Sequence, residues 1–82
     1  MTEGTRGTIV WQGFTLRPTG VPGTWAARPL VEGGYYPQVY FDGKRNDYVA
    51  EVYWGYAVGR AYHKDALKAL DQALVHVEEM RP

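Results

Sequence analysis

The most constraining stretch of the chain is residues 48–81, where an apolar strand pattern leads through glycines into an amphipathic helix pattern. From position 64 onward, apolar residues recur at steps of three and four, and the charged residues fall on the opposite side. The apolar stripe consists of Ala66, Leu67, Leu70, Ala73, Leu74 and Val77. This spacing is typical of a helix that buries one side. We therefore predict a helix over residues 64–81, with His63 at its N-cap.

The strand pattern before the helix has one uniformly apolar face. That face comprises Tyr48, Ala50, Val52, Trp54, Tyr56 and Val58. Because one sheet face and one helix stripe can cover each other in a small domain, we expect this face to lie under the helix, with Tyr53 on the opposite face. Gly55 and Gly59 indicate bulges, or alternatively Gly59–Arg60 forms a turn before the helix.

Three further strands are predicted upstream, over residues 8–17, 24–31 and 35–41. The first changes phase midway, and a bulge at Gln12–Gly13 would bring its four large apolar residues to one side. Pro29 favours an edge position for the second strand, because proline cannot donate a backbone hydrogen bond. Gly33–Gly34 is a typical hairpin turn before the third strand.

The predicted fold class is α+β: an antiparallel sheet of four strands, or five, with one C-terminal amphipathic helix packed on one face, in the order β-β-β-β-α. With 82 residues, the chain is long enough for a single domain over residues 1–82. Within that domain we expect a flexible start, an N-terminal hairpin, and a unit of sheet plus helix. Their respective ranges are 1–7, 8–34 and 35–81.

Composition excludes several functional classes. The chain has 9 basic and 9 acidic residues, so it lacks the strongly basic surface of most nucleic-acid-binding proteins. It contains no cysteine and no serine, which excludes disulfides and the two commonest nucleophiles. No apolar run approaches the length of a membrane span. We expect a cytoplasmic protein that does not contact membranes.

The remaining residues do not predict an enzyme. His63 and His76 are thirteen positions apart, so on one helix they would point in different directions and could not share a metal ion. Asp42, Asp47 and Glu51 could gather around one turn, but acidic turns are usually solvated. The sequence therefore predicts a protein without catalytic residues, metal site or cofactor.

Residues 35–81 contain two strand segments, Tyr36-Pro37-Gln38-Val39-Tyr40 and Tyr48-Val49-Ala50-Glu51-Val52, followed at residues 66–74 by a helix pattern in which an alanine-leucine pair recurs. The two segments are similar to the paired first strands of HicB-type antitoxins, and the helix pattern resembles the alanine-leucine helix of that family. The chain departs from the family in lacking its Leu-Pro-Gly segment and Gly-Asp-Thr helix entry. The resemblance implies a non-catalytic protein that binds and masks a small RNA-cleaving toxin.

The aromatic content independently indicates binding. Twelve aromatic residues exceed what one helix can cover, and tyrosine and tryptophan are enriched at the centres of protein interfaces. For a protein partner, held by strand addition or face packing, the candidate residues are Tyr53, Trp54, Tyr56 and Arg60. Alternatively, the N-terminal hairpin or a homodimer covers this surface, and in the latter case the protein is a homo-oligomeric structural or accessory protein.

A nucleic-acid-binding module is a second alternative. Residues 58–60 followed by Lys64 and Lys68 at a helix start are similar to the end of double-stranded RNA-binding domains, whose lysines there contact phosphates. Sheet aromatics beside arginines could also stack single-stranded bases. The candidate residues for this function are Lys44, Arg45, Lys64 and Lys68.

Overall fold

The computed structural model describes residues 7–27 and 34–80, which form one antiparallel sheet of six strands and a helix after the last strand. The strands lie side by side in chain order. They are β1 (Ile9–Trp11), β2 (Phe14–Pro18), β3 (Thr24–Ala26), β4 (Tyr36–Asp42), β5 (Asp47–Trp54) and β6 (Ala57–His63), and the helix α1 spans Ala66–Glu79. The predicted α+β class, antiparallel sheet and C-terminal helix are confirmed. The sheet has six strands where four or five were predicted.

The first additional strand comes from residues 8–17, which form a hairpin and not one bulged strand. Gln12 and Gly13 both have positive φ, 52° and 80°, as the two central residues of a type I′ turn require. Trp11 therefore faces Phe14, and their rings stack at 5.8 Å. The four large apolar residues of this segment lie on one side, as predicted, and all pack toward the core; they are Ile9, Trp11, Phe14 and Leu16. A two-residue turn, and not a bulge, brings them to that side.

The second additional strand comes from the predicted long strand after Tyr48, which reverses at Gly55–Tyr56. Gly55 has φ 61°, as the first central residue of a type II′ turn requires. Tyr56, predicted to face the core, is fully exposed in this turn. Val58 pairs with Tyr53 and therefore shares its face, away from the helix. Gly59 lies inside β6, so the predicted bulge or turn there is wrong.

The sheet order also corrects the edge prediction. β3 pairs with β2 on one side and β4 on the other, so it is an interior strand, and β1 and β6 are the edges of the described sheet. The predicted strand residues beyond Ala27, including Pro29, lie outside the described residues. The same holds for residues 1–6 of the predicted flexible start and for Gly33 of the predicted hairpin turn.

The helix begins two residues later than predicted, and Asp65 is its N-cap. The Asp65 carboxylate accepts hydrogen bonds from the backbone N–H groups of Leu67 and Lys68, as an aspartate N-cap does. His63, the predicted cap, ends β6, and its Nδ1 atom accepts from the Asp65 N–H at 2.9 Å. No helix of the described residues is long and apolar enough to cross a membrane.

The core lies between α1 and one face of the sheet. Ala69, Leu70, Ala73 and Val77 of the helix are fully buried, and the helix packs chiefly on β5 and β6. The sheet contributes the side chains Val39, Ala50, Val52 and Ala61, with Trp11 and Leu16 from the N-terminal hairpin. Trp11 donates its ring N–H to the Asp71 carboxylate of α1 at 2.7 Å. This hydrogen bond connects the β1–β2 hairpin to α1.

Candidate functional site

The sheet face away from α1, here called the open face, has a polar row at its centre. Pairing aligns one residue from each of five strands on that face, namely Arg17, Ala26, Gln38, Glu51 and Arg60. The row contains arginine at both ends and a carboxylate near one of them. Both α1 and the apolar side of the β1–β2 hairpin pack on the other face, so neither covers this row.

Tyrosines and valines flank the polar row on both sides. One neighbouring row consists of Thr24, Tyr40, Val49 and Tyr62, and the other of Tyr36, Tyr53 and Val58. The Tyr36 and Tyr53 rings lie 6.2 Å apart, which is a favourable aromatic pair. Val49 is only 1% exposed although it faces away from the helix, since tyrosines stand on either side of it. The open face is therefore an aromatic surface surrounding a polar centre.

Glu51 is the centre of a hydrogen-bond network on this face. Its carboxylate accepts from the Gln38 amide at 2.6 Å, the Arg60 Nε–H at 2.8 Å and the Tyr53 hydroxyl at 3.1 Å. Glu51 is 7% exposed and is the one buried charged residue among those described. The network satisfies a carboxylate that would otherwise be costly to bury.

Strand register explains how distant residues meet around Glu51. Gln38 and Arg60 are its direct cross-strand neighbours, and Tyr53 is two positions along the same strand, on the same face. A two-residue turn is closed by a hydrogen-bonded pair, here Trp54–Ala57, and alternation then makes Glu51–Arg60 a non-hydrogen-bonded pair. Side chains are closest in such pairs, which favours the contact between the two charges.

The network shifts the pKa values of its members in opposite directions. Burial raises the pKa of Glu51, but the hydrogen bonds from Gln38, Arg60 and Tyr53 and the charge on Arg60 outweigh it, so the pKa lies below its ordinary range. Burial and the bond to Glu51 raise the pKa of Tyr53. Glu51 is therefore held as an anion and Tyr53 as a neutral donor, which is the arrangement of a stable structural network.

Arg60 is an exposed charged group on the open face that is held by a hydrogen bond. Its side chain is 51% exposed, and only its Nε–H is engaged, by Glu51. The two terminal nitrogens of the guanidinium form no hydrogen bond within the described chain. Arg60 thus offers an anchored pair of donors between two tyrosine rows.

The structure separates the four residues predicted to bind a protein partner. Tyr53 and Arg60 lie together on the open face. Trp54 points to the helix side, where it packs against the core, and Tyr56 stands in the β5–β6 turn. Trp54 and Tyr56 line a shallow apolar depression with Gly55 and Ala57, at the end of the hairpin.

Three of the four residues predicted to bind nucleic acid lie at the β4–β5 turn. Arg45 pairs with Asp47 at 3.3 Å, and its guanidinium carbon lies 3.9 Å above the Tyr62 ring. Lys64 donates to the Asn46 carbonyl, which brings it to the same turn as Lys44. Lys68 lies further along α1 and is exposed. Asp42, Asp47 and Asp65 are interspersed with these four cations, so this end of the molecule has little surplus of positive charge.

Sequence reasoning missed Gln38, Tyr40 and Tyr62 as members of this surface and placed Glu51 at a turn. Glu51 lies mid-strand, and the available signal was a charged residue in an apolar strand beside an arginine in the next segment. Contrary to the prediction, the two histidines do not lie on one helix, because His63 ends β6 and only His76 is on α1, where its Nδ1 lies 2.8 Å from the Arg60 carbonyl oxygen. The described residues contain no cluster of three or more His, Asp or Glu side chains that could hold a metal ion.

No family model, curated protein or solved structure matches this chain.

Proposed function

We propose that this protein is a non-catalytic binding domain that inhibits or regulates a protein partner, in the manner of an antitoxin. The open face is the proposed contact surface. The observation that carries this proposal is the pair of tyrosine rows flanking a buried, fully hydrogen-bonded carboxylate. A surface of that kind has rigid aromatic side chains and pre-ordered polar groups, and both favour protein recognition.

Tyrosine and arginine are the residue types most enriched among those that dominate interface energies. The open face presents Tyr36, Tyr40, Tyr53 and Tyr62 around Arg60. The internal network has already ordered Tyr53 and Arg60, so little side-chain entropy is lost when a partner binds them. Tyr62 is 43% exposed and can contribute new buried area.

Face packing is favoured over strand addition at β6. Alternation from the β5–β6 turn directs the backbone groups of Val58, Arg60 and Tyr62 to the outer edge of β6. At the middle of that edge, the Arg60 carbonyl oxygen is already in contact with the His76 ring, whose Nδ1 lies 2.8 Å away. Gln72, one turn before His76 on α1, shares its flank and is polar and exposed. An incoming strand would have to displace His76 and pass this polar flank, as in other protected sheet edges.

The resemblance to HicB-type antitoxins supports the same function. The two segments similar to the family's paired strands are β4 and β5, and the similar alanine-leucine helix is α1. The connection between β5 and α1 forms the β5–β6 turn and β6. On this proposal, the partner is a small RNA-cleaving protein whose action is masked when the complex forms.

The test is capture from host lysate on the tagged protein, after nuclease treatment and a high-salt wash. We expect wild-type protein to retain a specific protein that Tyr53→Ala and Tyr62→Ala retain weakly. Val75→Ser is the matched control, because Val75 is 52% exposed on α1, away from the open face. Equal retention by all three variants would refute binding through the open face.

Binding of single-stranded nucleic acid is the second candidate function. It is favoured by the Arg45 guanidinium over the Tyr62 ring, beside the other tyrosines of the open face. The acidic residues interspersed at the β4–β5 turn disfavour it, because phosphate binding relies on surplus positive charge. In the capture experiment, loss of all retained protein on nuclease treatment would support this function and contradict the first.

A further inference from the structure

We infer that the partner inserts a side-chain carboxylate, from Asp or Glu, between the two tyrosine rows and onto the terminal nitrogens of Arg60. This inference rests on the proposed function, because it specifies the chemistry of a protein that binds the open face. It commits to one occupant: a protein segment with an acidic residue flanked by apolar side chains.

The geometry of Arg60 suits a carboxylate. Glu51 binds the Nε–H at 2.8 Å, and the two terminal nitrogens form no hydrogen bond with the described residues. Two parallel N–H donors of a guanidinium match the two oxygens of a carboxylate in a bidentate pair. Because the hydrogen bond to Glu51 restricts the rotation of the guanidinium, Arg60 is already positioned before the partner binds. Glu51 is accordingly a positioning residue for Arg60, and it does not contact the partner.

The charges of the open face favour an acidic partner group. Glu51 is buried and its charge is compensated by three donors, so it presents little negative potential outward. The exposed charges at the two ends of the central row are Arg17 and Arg60, and both are positive. A partner carboxylate above Arg60 would be attracted by the guanidinium and would not be repelled by an exposed acidic residue of that row.

A single carboxylate fits better than a polyanion. The neighbouring cation Arg45 is paired with Asp47, and the Lys44 backbone N–H is bonded to Asp42. A phosphate chain leaving Arg60 toward the β4–β5 turn would therefore meet two carboxylates. A partner side chain that descends onto Arg60 avoids them, and its apolar neighbours can pack on Tyr53 and Tyr62.

The experiment uses a phage-displayed library of random 12-residue peptides, selected on the full-length wild-type protein. We expect the selected peptides to share one Asp or Glu flanked by apolar residues. Binding of a selected synthetic peptide, measured by fluorescence anisotropy, should weaken about 10- to 100-fold with Arg60→Ala. Arg60→Lys should retain part of the affinity, since it keeps the charge and loses the planar pair of donors.

A double-mutant cycle makes the assignment specific. Replacing the shared peptide acid by its amide should weaken binding to wild type but have little further effect on Arg60→Ala. Val75→Ser should bind as wild type does. Circular dichroism melts identify any variant that is unfolded, and Arg60→Lys serves if Arg60→Ala does not fold.

Three outcomes overturn the inference. The selection enriches no peptide, or the selected peptides share no acidic residue, or the affinity losses from Arg60→Ala and from the peptide amide add up in the double-mutant cycle. If peptides bind with the same affinity to Arg60→Ala as to wild type but more weakly to Tyr53→Ala, the open face remains the binding surface. Only the contact between a partner carboxylate and Arg60 is then refuted. If labelled 15-nucleotide single-stranded RNA binds with Arg60-dependent affinity and no acidic peptide does, the inference and the protein partner are both wrong.

Discussion

At the scale of single residues, Glu51 is the position on which the open face depends. It is an acidic residue in the middle of a strand that is apolar from Tyr48 onward, and burial there is tolerated because three donors converge on it. The alternation of β5 correctly predicted that Tyr53 lies opposite Trp54. The partners of Glu51 could not be predicted, because they depend on the register of β4 and β6, and β6 itself was not recognised.

The Glu51→Gln substitution tests the network through its pH dependence. At neutral pH we expect a loss of about 1–3 kcal/mol in unfolding free energy, since an amide cannot accept from all three donors. The pKa of Glu51 is lower in the folded than in the unfolded protein, so its contribution is present above the ordinary value of 4.5 and is lost as pH falls through the folded pKa. Wild type and variant should therefore converge in acid.

Urea denaturation at pH 7 and in steps below the ordinary glutamate pKa measures this convergence. Glu79→Gln is the matched control, because Glu79 is exposed at the end of α1. A difference between wild type and Glu51→Gln that stays constant across this range would contradict the low folded pKa of Glu51.

At the scale of elements, tight turns account for both strands that sequence reasoning missed. Gln12–Gly13 and Gly55–Tyr56 each reverse the chain within two residues, where the apolar pattern continues almost unbroken on either side. Glutamine is an uncommon residue at positive φ, so the first turn carried a weak signal. The helix was predictable because its apolar stripe extends over about three turns, from Ala66 to Val77. Its exact start depended on whether His63 or Asp65 was the cap.

Gly59 shows why β6 and α1 can pack closely. A Cβ atom at this position would overlap the Ala73 carbonyl oxygen and the Val77 backbone nitrogen, neither of which can move without shifting the helix. We expect Gly59→Ala to lower the unfolding free energy by about 1–3 kcal/mol, as overpacked sites do. Thermal and urea melts measure the loss. Gly43→Ala is the control, since a Cβ there meets open space, and similar losses for both variants would refute this packing.

Asp65 tests where the helix begins. Removing its side chain leaves the backbone N–H groups of Leu67 and Lys68 without their acceptor, so Asp65→Ala should cost about 1 kcal/mol. Gln72→Ala, on an exposed side of α1, should change stability by less than about 0.5 kcal/mol. Urea denaturation can distinguish these two losses of stability. An unchanged denaturation midpoint for Asp65→Ala would contradict the role of Asp65 as the N-cap.

At the scale of the whole molecule, the two sheet faces have different roles. One is closed by α1 and the N-terminal hairpin, which bury the core. The other combines tyrosine rows with a polar centre that includes an exposed, anchored arginine. The sequence predicted the two layers and the position of Tyr53 on the sheet face away from the helix. It could not predict the composition of that face, because the turn at Gly55–Tyr56 begins a sixth strand and brings Val58, Arg60 and Tyr62 onto the open face.

The most direct test of the open face as the contact surface is a tyrosine footprint. Protein alone and protein bound to its captured partner are treated with N-acetylimidazole, and acetylation of each tyrosine is read by mass spectrometry. We predict that Tyr53 and Tyr62 become protected in the complex, whereas Tyr56, fully exposed at the turn, stays reactive. Protection of Tyr56 with unchanged reactivity at Tyr53 and Tyr62 would contradict the proposal and assign binding to the end of the β5–β6 hairpin.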